Sequence, residues 1–166
     1  LYETPSIGSG ALVRGLSGGW QISGVFAALS GGASNVRDSA NSYSNQRPDR
    51  VDGQDLVLDD WRDTLQYLNR AAFARVPVIT ASGAQARPGT LSRNAVRGPA
   101  SYNLDLGVSR NFHFGGNYRF QIRLDAFNAL NTRNYGGLET RVENSRFGRL
   151  TSVSTRTMQV GARFTF

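Results

Sequence analysis

The chain has 166 residues, no Cys, a single His and a net charge of +7, with Arg as its only basic side chain besides that His. The missing Cys excludes disulfides and thiolate metal sites, and a lone His113 gives little basis for a His-based metal centre or a Ser–His relay. The Arg residues are scattered singly among Asp and Glu, which argues against nucleic acid as a partner, and no stretch reaches the roughly 20 apolar residues of a membrane-spanning helix. The opening LYETPSIGSG, without Met, reads as a truncated start, and the closing MQVGARFTF reads as a natural end.

The first patterned segment is GWQISGVFAALSG. Trp20 and Ile22 share one parity, opposed by Gln21 and Ser23, and the later half is apolar on both faces. Residues 31–100 follow, rich in Gly, Ser, Asn, Arg and Asp, and such length without regular structure is unusual inside a compact domain. Within them, DDWRDTLQYLNRAAFA predicts a short helix, with Asp59 or Asp60 as cap and Trp61, Leu65, Leu68 and Phe73 along one side.

The second patterned segment, SYNLDLGVSRNFHF, sets Tyr102, Leu104, Leu106, Val108, Phe112 and Phe114 on one face. Asn103, Asp105, Gly107, Ser109, Asn111 and His113 lie on the other. After Gly115-Gly116-Asn117, the segment YRFQIRLDAFN sets Tyr118, Phe120, Ile122, Leu124 and Ala126 against Arg119, Gln121, Arg123 and Asp125. A second long connection, 129–155, precedes the last segment, where Met158, Val160, Ala162, Phe164 and Phe166 alternate with Gln159, Gly161, Arg163 and Thr165.

Alternation with period 2 over these lengths predicts β-strands. A soluble sandwich with one wetted face is one reading. Two features favour an antiparallel transmembrane β-barrel. The apolar faces end in aromatics (Tyr102, Phe112, Phe114, Tyr118 and Phe120), as in the girdles that flank a lipid-facing band. The strands also exceed the usual sandwich strand of about 5–6 residues. Arg110 interrupts the apolar face. It would cost about 2–4 kcal/mol at the bilayer midplane and about 0–1 near an interface, so it is expected at a membrane boundary, with its guanidinium reaching headgroups.

Parity fixes the hairpin. Both strands beside Gly115–Asn117 carry even-numbered apolar residues, so paired numbers must sum to an even number. A three-residue loop satisfies this, with Gly or Asn supplying a left-handed position. It pairs Phe114 with Tyr118, Phe112 with Phe120, Val108 with Leu124 and Leu106 with Ala126, and sets Arg110 opposite Ile122. The short turn reads as periplasmic and the loops 31–100 and 129–155 as extracellular, since such barrels pair short inner turns with long outer loops. Phe166 then ends at the periplasmic face of a bacterial outer membrane, and external protease is expected to cut near Arg47–Arg50.

The ordered set LSRNAVRGPASYNLDLGVSRNF, FQIRLDAFNALNTRNYG, FGRLTS and GARFTF, preceded by GGWQISGVFAALSGG and LNRAAFA, resembles the C-terminal end of a TonB-dependent outer-membrane transporter. The resemblance covers nearly the whole chain. It is to the Oar-like subgroup, which carries a carboxypeptidase-regulatory-like domain at its N-terminus. One departure is GASNVRDSANSY, where that family usually has an apolar or Pro-containing stretch.

The resemblance implies an all-β fold in which residues 1–166 form the last four or so strands of a plugged barrel of roughly 22 strands, with the plug and most strands absent. It implies active transport of an unknown solute, driven by TonB–ExbB–ExbD through the missing N-terminal region. It also implies that Met158, Val160, Ala162, Phe164 and Phe166 form the signal read by the barrel-assembly machinery. The bilayer itself is the remaining expected partner.

The polar set Asn103, Asp105, Arg119, Gln121, Arg123, Asp125, Gln159 and Arg163 is expected to face the lumen. Asp105 and Asp125 suggest a carboxylate pair for hydrolysis, but Arg123, two residues from Asp125 on the same face, makes an ion-pair ladder the better reading. Ser109 and His113 share a face with no evident third partner. No enzyme activity, cofactor or metal is therefore expected. The alternatives are a passive porin or adhesin barrel and a soluble β-rich binding domain.

Overall fold

The computed structural model describes residues 1–5, 9–10, 17–38, 46–79, 81–82, 86–115 and 117–166. Its strands are β1 (Tyr2–Glu3), β2 (Trp20–Leu29), β3 (Ala33–Ser34), β4 (Asp49–Arg50), β5 (Phe73–Ala74), β6 (Val96–Arg97), β7 (Ser101–Phe114), β8 (Tyr118–Phe127), β9 (Asn134–Gly136), β10 (Ser152–Ser154) and β11 (Thr157–Thr165). The described residues also include a short helix, α1 (Trp61–Thr64), and a 3-10 turn, Arg70–Ala72. The chain divides into two compact units. One is Leu1–Leu29, Ser101–Arg133 and Ser154–Phe166, and the other is Ser30–Ala100 and Asn134–Val153.

The first unit is a five-stranded antiparallel sheet in the order β1-β2-β7-β8-β11. The β7–β8 hairpin pairs Phe114 with Tyr118, Phe112 with Phe120, Arg110 with Ile122, Val108 with Leu124 and Leu106 with Ala126, as the parity argument requires. Gly116 of the turn lies outside the described residues, so the left-handed position expected there is not assigned. The same parity runs across the sheet. Trp20 faces Arg110 and Phe26 faces Leu104, while Met158 faces Ala126 and Phe164 faces Phe120. Leu29 pairs with Ser101 and Phe127 with Thr157, so both insertions leave from one edge of this sheet, and the hairpin turn lies at the other.

β8 ends in a built corner. Asn128 and Asn131 take φ of 52° and 54°, a left-handed conformation that Asn tolerates better than most residues. The Asn128 amide accepts from Thr132 N–H at 3.0 Å and donates to the Thr132 carbonyl at 2.8 Å. Its backbone N–H donates to Asp105 Oδ1 at 2.8 Å, which locks the corner onto β7.

Every buried apolar residue among those described belongs to the second unit. Val36, Trp61, Tyr67, Leu68, Ala72, Phe73, Leu91, Val96, Val142, Phe147 and Leu150 form one cluster. Trp61 meets Tyr67 and Tyr135 edge-on at 5.1 and 5.0 Å, and Phe73 meets Phe147 at 5.2 Å. Short pairings close the chain around this core: β3 with β6, β4 with β5, β9 with β10, and single bridges Val57–Leu68, Gln66–Arg149 and Arg37–Arg141.

Three expectations change here. The helix expected over the DDWRDTLQYLNRAAFA stretch is one turn, because Leu65 adopts φ 60° and ends it. Trp61, Leu68 and Phe73 are buried, but from a helix, a bridge and a strand rather than from one helical face. Residues 31–100, read as a length without regular structure, fold with 134–153 around a core that hydrophobic periodicity does not reveal. Arg47–Arg50 is not an open protease site: Pro48 is fully buried, and Asp49 and Arg50 pair with Ala74 and Phe73.

Candidate functional site

The sheet presents two faces of opposite chemistry. The even face carries Ile22, Phe26, Tyr102, Leu106, Phe114, Tyr118, Ile122, Met158, Val160 and Phe164, all exposed although large and apolar. Val160 is 75% exposed and Phe166, beyond the last pair, 89%. At the hairpin edge Phe112 lies 6.2 Å from Phe120, Tyr118 6.1 Å from Phe164, and Phe164 6.2 Å from Phe166. Five aromatics named from the sequence are thus on one face, four at this edge and Tyr102 toward the other. Met158, Val160, Ala162 and Phe164 line up on the same face.

Trp20 belongs with them. Its parity is readable, but its place opposite Arg110 depends on a register across seventy inserted residues. The Arg110 guanidinium stacks over the rings of Trp20 and Phe112, 5.4 and 4.7 Å from their centroids, and the residue is only 7% exposed. It is held against aromatics, where the sequence reading had it extended to headgroups.

Apart from exposed Val25, Leu29 and Phe127, toward the edge where the insertions leave, the odd face is polar and bonded side to side. Arg123 holds Asp125 through two bonds, 2.7 Å from Nε and 3.0 Å from a terminal nitrogen. This is the ion pair expected from their spacing. Gln121 donates to the directly opposed Asn111 at 3.1 Å. Asp105 accepts from Asn103 at 2.7 Å as well as from Asn128, so it anchors the corner rather than facing Asp125. Gly107 stands opposite both Ser23 and Asp125. A Cβ there would meet Ser23 Oγ at 2.7 Å and Asp125 Oδ1 at 3.0 Å, so glycine makes the room into which both side chains lean. Arg119 lies opposite Thr165, Gln159 opposite Asp125 and Arg163 opposite Gln121. Asn111, Arg119, Gln121, Arg163 and Thr165 line a shallow recess of about 190 Å³ on this face.

In the second unit the strongest electrostatics are ion pairs that tie loops. Arg87 grips Asp49 with two bonds of 2.7 Å and Thr90 N–H adds a third at 3.0 Å, lowering the Asp49 carboxyl to about 2. Arg141 grips Glu139 at 3.0 and 2.9 Å, lowering it likewise to about 2. Burial raises the Tyr67 phenol, whose hydroxyl donates to the Arg97 carbonyl at 2.8 Å. Among the described residues no cluster of His, Asp or Glu is arranged to hold a metal ion.

Among the described residues no helix is long and apolar enough to cross a membrane, which says nothing about crossing by strands. In water an uncovered apolar face is unfavourable by about 25 cal/mol per Å², and a soluble sandwich covers it with a second sheet. Strands of 9 to 14 residues, apolar on one face and charged on the other, define the wall of a membrane β-barrel. The chain belongs to the outer membrane β-barrel domain family, whose model matches residues 1–159. It is an outer-membrane barrel protein of bacteria. Comparison with curated proteins returns no match, and comparison with solved structures returns none.

Proposed function

We propose that this chain is the C-terminal wall and outer-loop segment of a TonB-dependent transporter of the Oar-like subgroup, a non-enzymatic importer of a solute. The observation that carries the reading is the odd face. Its charged and amide side chains are bonded laterally within the sheet and stay open to whatever fills a wide lumen. A narrow barrel fills its interior with its own packed side chains, whereas a barrel of roughly 22 strands encloses a separate plug. The ordered segments that resemble the family support the same reading.

In this reading the even face meets lipid and Phe166 lies at the periplasmic rim. The residues 30–100 and 134–153 are extracellular. The last strand, Met158 to Phe166, is the segment read by the barrel-assembly machinery, since an open strand edge recruits another strand. TonB–ExbB–ExbD acts through the N-terminal region of such a transporter.

Planar-bilayer conductance of the full-length protein tests this. A plugged transporter leaves the bilayer closed, and solute uptake by cells depends on TonB. Steady open channels, with uptake unchanged in cells lacking TonB, would establish the passive porin instead.

A further inference from the structure

The second unit holds twelve Arg against nine Asp and Glu, a net charge of +3. Its carboxylates are unevenly committed. Asp38, wholly buried, accepts from Arg75 Nε at 3.0 Å and from Val76 N–H at 3.3 Å. Asp49 is held by Arg87 and Glu139 by Arg141. Asp52, Asp55, Asp59, Asp60 and Asp63 all fall in one short stretch of the chain. Arg37, Arg47 and Arg93 line a cleft of about 200 Å³ together with Asn35, Val36 and Gln46, and among the described residues no carboxylate lines it. The space equals several waters at about 30 Å³ each.

Backbone bonds hold the walls. Arg37 N–H donates to the Thr140 carbonyl at 2.9 Å, and the Arg37 carbonyl accepts from Val142 N–H at 2.9 Å. The Gln46 carbonyl accepts from Asp38 N–H at 2.9 Å, and Asn35 Oδ1 accepts from Asn94 N–H at 2.7 Å. Gln46 Oε1 is buried, and no donor among the described residues reaches it. The cleft thus gathers three guanidinium-bearing side chains that suit an oxyanion.

We propose that this cleft is an oxyanion-binding site, taking a carboxylate or phosphate group through Arg37, Arg47 and Arg93. Guanidinium matches both oxyanions in planar, two-bond geometry, and gathered like charge in a cleft concentrates anions. As a statement about the transported solute the proposal rests on the transporter reading; as a binding site it does not.

The test is calorimetric titration of the purified full-length protein with inorganic phosphate and with citrate, at constant ionic strength and without TonB. Saturable binding of at least one probe is expected. It should weaken tenfold or more in the Arg37→Gln/Arg93→Gln double variant and remain unchanged in Arg146→Gln, whose side chain is exposed outside the cleft. The tighter probe assigns the anion class. Arg93→Gln alone, at an exposed position, serves if the double variant misfolds, with a threefold or greater loss expected. Wild-type protein that binds neither probe, or equal weakening by Arg146→Gln, overturns the site and leaves the transporter reading standing. A passive porin that binds phosphate would pass this test and fail the conductance test.

Discussion

Arg110 stands directly opposite Trp20 across β2 and β7, its guanidinium carbon 5.4 Å from the centre of the indole ring. Phe112 lies under the same guanidinium at 4.7 Å. A charge on the apolar face is thus covered by π-faces near the hairpin edge. A cation–π contact of this kind contributes about 0.5–2 kcal/mol, more as water is excluded. A double-mutant cycle of Arg110→Gln and Trp20→Leu in the refolded protein should give a coupling in that range. Coupling near zero would mean that the two residues stabilise the sheet separately.

Acid should loosen the second unit. Asp49 and Glu139 titrate near 2 in the folded chain, below the ordinary carboxylate range, because Arg87 and Arg141 hold their charged forms. A carboxylate with a depressed folded value adds stability above its unfolded value, near 4, and loses it as the pH falls toward 2. Solvent screening around the exposed Arg side chains keeps the contribution of each pair modest. Urea unfolding followed by Trp61 fluorescence in a Trp20→Phe background should show a flat midpoint contribution above pH 5 and a decline between pH 4 and 2. Asp49→Asn combined with Glu139→Gln should flatten that decline.

Gly148, in the second unit, combines a left-handed backbone with close neighbours. Its φ is +79°, and a Cβ would meet Gln66 Nε2 at 2.6 Å and the Leu68 carbonyl oxygen at 2.8 Å. Gln66 is there to bond the Leu68 and Phe147 carbonyls, at 2.8 and 2.9 Å, so a clash breaks both. Gly148→Ala should cost at least about 2 kcal/mol. Limited trypsinolysis of the purified protein gives an independent readout. The bond after Arg50, within a paired strand, should resist in the wild type and open in Gly148→Ala.

Phe166 touches little besides Phe164. Its removal should therefore leave the folded sheet nearly as stable as before, yet lower the amount of full-length protein assembled in the outer membrane while synthesis is unchanged. The measurement is the heat-modifiable folded fraction in membranes from cells expressing the deletion. A normal folded fraction would show that the terminal ring is only one more apolar surface group.

Where the signal is local, the sequence suffices. Alternation along residues 101–114 and 118–127 assigns the strands, the two faces and the neighbours of Arg123 and Asp125. Parity across a short turn then fixes the register of the β7–β8 hairpin, because a shift by one residue moves every side chain to the wrong face. The remaining registers needed the fold: β2 meets β7 across an insertion of some seventy residues, and β8 meets β11 across the second insertion. No local rule spans such distances. The tertiary structure also decided the second unit. Val36, Leu68, Val96, Phe147 and Leu150 come from irregular segments with no common period, and they form a core only after long loops close. The same closure gathers Arg37, Arg47 and Arg93, which the sequence scatters over more than fifty residues.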